Sequence, residues 1–344
     1  MITKEKMEND LVHTIGLISS EHKYNRNNFL PSTLHCLTNI KFLTNFINSF
    51  DQELTKDKED EQLIQELTSY KNLLNQLAGV NDKKKFINTE EFEKALNYGK
   101  LRKENCNPKF LLEKILKEFN NYFVDKFKNT TLQENISISL QSIIKCTICK
   151  NYIEEDNKEE KKYLEFNFID LYKEPQINEK EKIDVYDCLI NYTKTKDNKT
   201  MICNSCKKET MHEIKTIFRK LPEILIIFVE YGNDKNFILE KEIEFNENLN
   251  FRGKEYVSDN LKNITYYLSS LICVREIMNP KKEYFYTFCK GNQSKDSKYF
   301  CYNGEKVYDV QNIENKLKKD QINLSNRKER FPYILIYTSY SLEK

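Results

Sequence analysis

The sequence predicts an α+β protein. Three observations carry the prediction. Helical periodicity runs through most of the first 127 residues, the pattern changes to period two after Gln133, and two CxxC pairs sit within the strand-rich part. Helices first and strands afterwards argue for α+β rather than for alternating α/β layers.

The helical half is read from spacing. In Leu30–Phe50, the residues Leu34, Leu37, Ile40, Leu43 and Phe46 recur at three and four, which predicts a helix with one buried face and Ser32 as its N-cap, followed by a second helical turn or two. The charged run Asp51–Gln62 reads as a solvated connection. Leu63–Val80 and Asn88–Leu101 are two further amphipathic helices, the second starting at Thr89 before Glu90 and Glu91. Pro108–Phe127 gives the strongest helical signal, with proline in the first turn and Phe110, Leu111, Ile115, Phe119 and Phe123 on its apolar side.

The strand half alternates. Ile136–Cys146, Tyr163–Tyr172, His212–Leu221, Asn263–Ile277, Lys282–Lys290, Ser297–Val310 and Phe331–Tyr340 all read as strands. Leu221–Glu230 is the most apolar run of the sequence, rich in Ile, Leu, Phe and Val without alternation, so it predicts a strand buried on both faces. Asn178–Lys194 holds a short helix, and Lys158–Lys162 and Gln293–Lys298 read as polar loops.

Composition bounds the function. Of 344 residues 31% are charged, yet the net charge is only +2, which implies no general nucleic-acid or membrane surface. No apolar stretch reaches the ~18 residues of a membrane span, and the N-terminus lacks the apolar centre of a secretion signal. Four of the ten cysteines lie in CxxC pairs, a usage that fits a reducing compartment. A cytoplasmic or nuclear location is expected. Cys146, Cys149, Cys203 and Cys206 can present four thiolates to one tetrahedral Zn²⁺. With no position left for water, such a site is structural rather than catalytic. His212, just after the second pair, is a further candidate near the metal; otherwise it is a packing residue.

In this order, the motifs resemble the ubiquitin-specific protease (USP) family of deubiquitinases. LPSTLHCLTNIKFLTNFI resembles the family's first box. SLQSIIKCTICKNYIEE followed by YLEFNFIDL resembles the first zinc knuckle and the next strand. DVYDCLINYTK, MICNSCKKET and FRKLPEILIIFVEY match the helix, second knuckle and core strand of the palm. KEYFYTFCK, KYFCYNGEKVYDV and FPYILIYTSY match the closing box and last strand. The resemblance implies a papain-like cysteine-protease fold with thumb, palm and fingers and a Cys₄ zinc ribbon in the fingers. It places a polar lead-in at 1–13 and one USP-like domain at 14–344, with the helical thumb at about 14–130 and the β-rich palm and fingers at about 131–344.

It also assigns the catalytic positions, and they are degenerate. A USP needs a cysteine nucleophile, a histidine base and an Asp or Asn that orients the base. Counting back from Ser32 puts Asn28 at the nucleophile position, and no cysteine precedes Cys36. Tyr284 stands at the histidine position, and the last histidine of the chain is His212. A phenol with a pKa near 10 is a poor base at neutral pH. Asn303 keeps the third position. Where the family carries acids that meet the ubiquitin tail, this chain has Cys106 and Lys109.

The resemblance therefore implies a pseudoenzyme that binds ubiquitin, a ubiquitin-like protein or a ubiquitinated partner, alone or in a multi-subunit complex, without direct nucleic-acid or membrane contact. Two alternatives stay open. One is an active thiol peptidase using Cys36, Cys289 or Cys301 with His35. The other is a scaffold subunit of an RNA-processing complex. His13 and His22 read as surface residues, and Cys106, Cys188, Cys273, Cys289 and Cys301 as core.

Overall fold

The computed structural model describes residues 16–18, 29–49, 61–78, 86–97, 107–167, 182–193, 197–230, 242–243, 245–252, 254–278, 281–290, 299–303, 306–310, 313 and 330–339. The early elements are β1 (Gly16–Ile18), α1 (Phe29–Thr38), α2 (Lys41–Asn48), α3 (Glu61–Ala78), β2 (Phe86–Asn88), α4 (Glu90–Ala95), α5 (Pro108–Phe127) and α6 (Thr131–Ile136). Strands then dominate: β3 (Ile138–Cys146), β4 (Tyr152–Lys161), β5 (Leu164–Asn167) and β6 (Lys182–Ile183) precede α7 (Val185–Tyr192). After it come β7 (Asp197–Ile202), β8 (Glu209–Lys220), β9 (Ile224–Glu230), β10 (Glu242–Ile243) and β11 (Asn248–Asn250). The last are β12 (Thr265–Met278), β13 (Lys281–Lys290), β14 (Tyr299–Asn303), β15 (Lys306–Val310) and β16 (Arg330–Ser339). Among the described residues, no helix is long and apolar enough to cross a membrane. The chain divides into two compact units, Met1–Leu132 with Ser269–Leu335, and Gln133–Leu268 with Ile336–Lys344.

In the first unit α1 is buried along all ten residues, not on the one face its periodicity predicts. It packs on β13 and β14 and also touches α2 and α5. Its polar side chains are therefore satisfied internally: Thr33 Oγ1 donates to the Phe29 carbonyl at 2.8 Å and Thr38 Oγ1 to the His35 carbonyl at 3.2 Å. Ser32 is not the N-cap, because the helix already begins at Phe29. Instead the Ser32 carbonyl accepts from Thr287 Oγ1 at 2.9 Å, tying α1 to β13. The helix predicted in Leu30–Phe50 and the second helical turn or two predicted after it are α1 and α2, separated at Asn39, whose Nδ2 donates to the Ser269 carbonyl at 3.0 Å.

α5 follows its sequence closely. Asn107 Oδ1 accepts from the Phe110 N–H, Pro108 occupies the first turn, and Lys128 ends the helix in the left-handed region at φ 54°. Phe119 meets Tyr70 of α3 edge-on at 5.6 Å and Phe123 meets Phe46 of α2 at 4.7 Å. Each such ring contributes roughly 1.5–3 kcal/mol by burial. α4 starts at Glu90 with Thr89 at the N-cap position, as predicted, although Thr89 Oγ1 does not cap the helix: it donates to Glu93 Oε1 at 2.6 Å, and Asn88 Oδ1 accepts the Glu90 N–H. β13 pairs antiparallel with β12 over Ser270–Met278 and with β14, which pairs with β15.

In the second unit β9 is buried from Ile224 to Val229, as its unbroken apolar run requires, and β5 lies parallel beside it. A separate four-stranded sheet has the order β4-β3-β8-β7. Lys158–Lys161, expected as loop, is strand and pairs with β3. As an edge strand it tolerates the charges that misled the sequence reading, since charge guards an exposed edge. α7 begins with a reciprocal capping box between Asp184 and Asp187.

Candidate functional site

Two constellations stand out, one in each unit. In the first, Tyr284 of β13 donates its Oη to Asn303 Oδ1 at the end of β14. The β13–β14 ladder brings them together, with Thr287 opposite Tyr302. Both side chains are half-buried. Asn28 lies outside the described residues, as do His13, His22 and Cys106. Lys109 is half-buried in the first turn of α5.

The thiols and imidazole of the alternative catalytic reading are buried nearby in the same unit. His35 Nε2 accepts the Leu17 N–H at 3.2 Å, and its ring stacks on Tyr302 with centroids 3.9 Å apart. That lone pair is thus engaged by the backbone. Burial pushes the Cys36 thiol well above its usual range, and the adjacent Cys289 adds to the effect. Cys289 Sγ in turn donates to the His35 carbonyl at 3.5 Å, not to its ring. A neutral thiol at zero exposure is a poor nucleophile.

The second constellation is the cysteine cluster. The ligand atoms of Cys146, Cys149, Cys203 and Cys206 all lie within 4.8 Å of one another. The two knuckles fold alike. Lys150 N–H donates to the Cys146 carbonyl at 3.1 Å and Lys207 N–H to the Cys203 carbonyl at 2.8 Å. Cys146 N–H reaches the Asn151 carbonyl and Cys203 N–H the Lys208 carbonyl, each at 2.9 Å. Lys150 and Lys207 both take positive φ, 61° and 57°, to close these turns. Around one tetrahedral ion with Zn–S near 2.3 Å, sulfurs stand roughly 3.8 Å apart. Cys149 and Cys203 are already 3.5 Å apart. The donor set and its spacing fit a four-thiolate metal ion.

Local hydrogen bonds prepare these thiols. The Thr210 hydroxyl, 3.3 Å from Cys146 Sγ, and the Cys149 N–H bring Cys146 down to about 7. The Cys206 and Ser205 N–H groups bring Cys203 down to about 5. The Asn151 N–H favours the Cys149 thiolate, but burial and the neighbouring Cys203 and Cys146 sulfurs outweigh it and push that thiol up to about 11. His212 is buried, with Nδ1 2.9 Å from the Thr210 carbonyl and its ring beside Cys203. Sequence reasoning singled out His212 but missed Thr210. Their shared face of β8, two residues apart after a CxxC, was the available signal. The other described cysteines, Cys188, Cys273, Cys289 and Cys301, are buried core as expected.

The family model described as ubiquitin carboxyl-terminal hydrolase matches residues 9–307. The chain belongs to the ubiquitin carboxyl-terminal hydrolase family. Structures of other proteins agree on the fold. The SAGA DUB module Ubp8/Sgf11/Sus1/Sgf73 bound to monoubiquitin matches with a TM-score of 0.67 at 18% identity, covering 96% of this chain and 70% of that one. The same module bound to ubiquitin aldehyde gives 0.66 at 18% identity, with 99% and 72% covered. No curated protein sequence matches the chain. This hydrolase-family member thus has the USP-like α+β fold with a four-cysteine cluster that can hold a metal ion.

Proposed function

We propose that this hydrolase-family protein is a USP-fold pseudoenzyme, a single USP-like domain that binds ubiquitin or a ubiquitin-bearing partner without cleaving it. The observation that carries the reading is the Tyr284–Asn303 hydrogen bond. A phenol occupies the orienting amide where catalysis needs an imidazole, and a phenol does not take a proton from a thiol at neutral pH. The engaged Nε2 of His35 and the buried neutral Cys36 speak against a substitute pair. Zn²⁺ held by Cys146, Cys149, Cys203 and Cys206 would brace the sheet that carries them, supplying folding energy and no chemistry. Ubiquitin and a multi-subunit complex in the cytoplasm or nucleus are the proposed setting; the likeness to a ubiquitin-bound module supports it.

The test pairs two assays on the zinc-loaded chain. Incubation with a ubiquitin-tail electrophile and a fluorogenic ubiquitin substrate is expected to give neither adduct nor turnover. Titration of labelled ubiquitin is expected to saturate. Covalent capture would overturn the pseudoenzyme reading, and absent binding at near-millimolar ubiquitin would favour a scaffold.

A further inference from the structure

A groove of about 610 Å³ lies in the second unit, on the side of the four-stranded sheet away from His212, and neither the cysteine cluster nor the Tyr284 pair uses it. Its floor is aliphatic, formed by Ile143 of β3, Ile217 of β8 and Val257. Ile190 of α7 forms one wall and is 49% exposed. Cations surround this floor. Lys145 and Lys215 project from paired strands, Lys145 immediately before Cys146 of the knuckle and Lys215 two residues before Ile217. Lys150, Arg219 and Lys262 add three more, against the two carboxylates of Glu255 and Asp259.

The neutralisation is partial. Asp259 is taken by Lys262 at 2.5 Å, and Lys215 meets Glu213 at 3.4 Å. Among the described residues, Lys145 and Lys150 are held in no ion pair of 4 Å or less. A chain with a net charge of only +2 has therefore gathered an excess of positive charge around one apolar trough. A trough with a greasy floor and cationic rim complements a segment in which carboxylates flank an apolar side chain. Nucleic acid fits less well: the rim carboxylates of Glu255 and Asp259 would repel a continuous phosphate chain, and between the lining rings of Tyr152 and Tyr256 the floor is aliphatic.

We infer that this groove docks an acidic extended segment of a partner protein, with an aliphatic side chain seated between Ile190 and Ile217. The inference stands apart from ubiquitin binding and goes beyond it.

Fluorescence polarisation on the full zinc-loaded chain tests it. The probes are a fluorescein-labelled Glu/Asp-rich peptide with a central Leu, the same peptide with Gln/Asn for its acids, and a single-stranded oligonucleotide. The acidic peptide is expected to bind and to weaken with salt. Lys145→Glu and Lys215→Glu should each weaken it about tenfold. Ile190→Ser, on an exposed helix position that leaves the fold intact, should weaken it several-fold. Equal binding of the neutral peptide, tighter binding of the oligonucleotide, or charge reversals that leave affinity within about twofold would overturn the inference. Should a charge-reversal variant misfold, Ile190→Ser and the salt dependence decide. Ubiquitin affinity, measured in parallel, separates failure here from failure of the pseudoenzyme reading.

Discussion

Tyr284 and Asn303 are joined side chain to side chain, the phenol donating to the amide oxygen across the β13–β14 hairpin. In the proposed reading these two residues hold the positions of base and orienter, and a phenol held there accepts no proton at neutral pH. Tyr284→Phe keeps the ring and removes only the donor. Its cost is expected at about 1 kcal/mol of unfolding free energy, with ubiquitin affinity unchanged; denaturant titration and binding measure the two.

The double variant Asn28→Cys, Tyr284→His is expected to stay without useful activity. Lys109 and Cys106 stand where the family resemblance places acids for the ubiquitin tail, and misplacing a substrate by an ångström can remove about a hundredfold in rate. Robust hydrolysis of a fluorogenic ubiquitin substrate would falsify this.

Elemental analysis of the purified protein is expected to give about one zinc per chain. Cys203→Ser should abolish that stoichiometry and lower the melting temperature, as should chelation of the parent. A metal-free protein with an unchanged melting temperature would show that the four thiols are only packing residues.

The positive-φ positions of the knuckles make a backbone test. Lys207→Gly removes the steric penalty at φ 57° and should be neutral or slightly stabilising, whereas Lys207→Val should cost roughly 1–2 kcal/mol and loosen metal retention. Chelator-competition rates and thermal melts report both.

Stability should also carry a pH signature from α3 and α5. Burial, with Glu118 close by, pushes the Glu66 carboxyl up to about 7, from 4.5 when unfolded, despite the opposing Lys114. Between those values the folded chain holds more protons than the unfolded one, so this contribution is full below about pH 4.5 and is lost as pH rises through 7. Glu66→Gln does not titrate. Relative to that variant, the parent is expected to lose about 1–2 kcal/mol between pH 4.5 and 7.5 by urea denaturation.

Much of this was legible from local pattern. Periodicity located α5 and β9, and motif order located the family and the four cysteines. Each of these is a short-range statement about spacing. Local pattern failed where burial was set by distant chain. Ser32 looked like a cap, yet Phe29 starts the helix and Thr287, far along the chain, takes the Ser32 carbonyl. Lys158–Lys161 looked like loop because an edge strand can carry the composition of one.

The sequence by itself determined the α+β class, the family motifs and the absence of any cysteine before Cys36. These are facts of residue identity and spacing. Only the tertiary structure decided that Tyr284 reaches Asn303, that Leu17 occupies the His35 lone pair, and that four sulfurs from two knuckles converge within 4.8 Å. Each of those depends on bringing together segments separated by many residues, and that pairing is chosen by what the whole unit can bury and hydrogen-bond, which no local window of sequence contains.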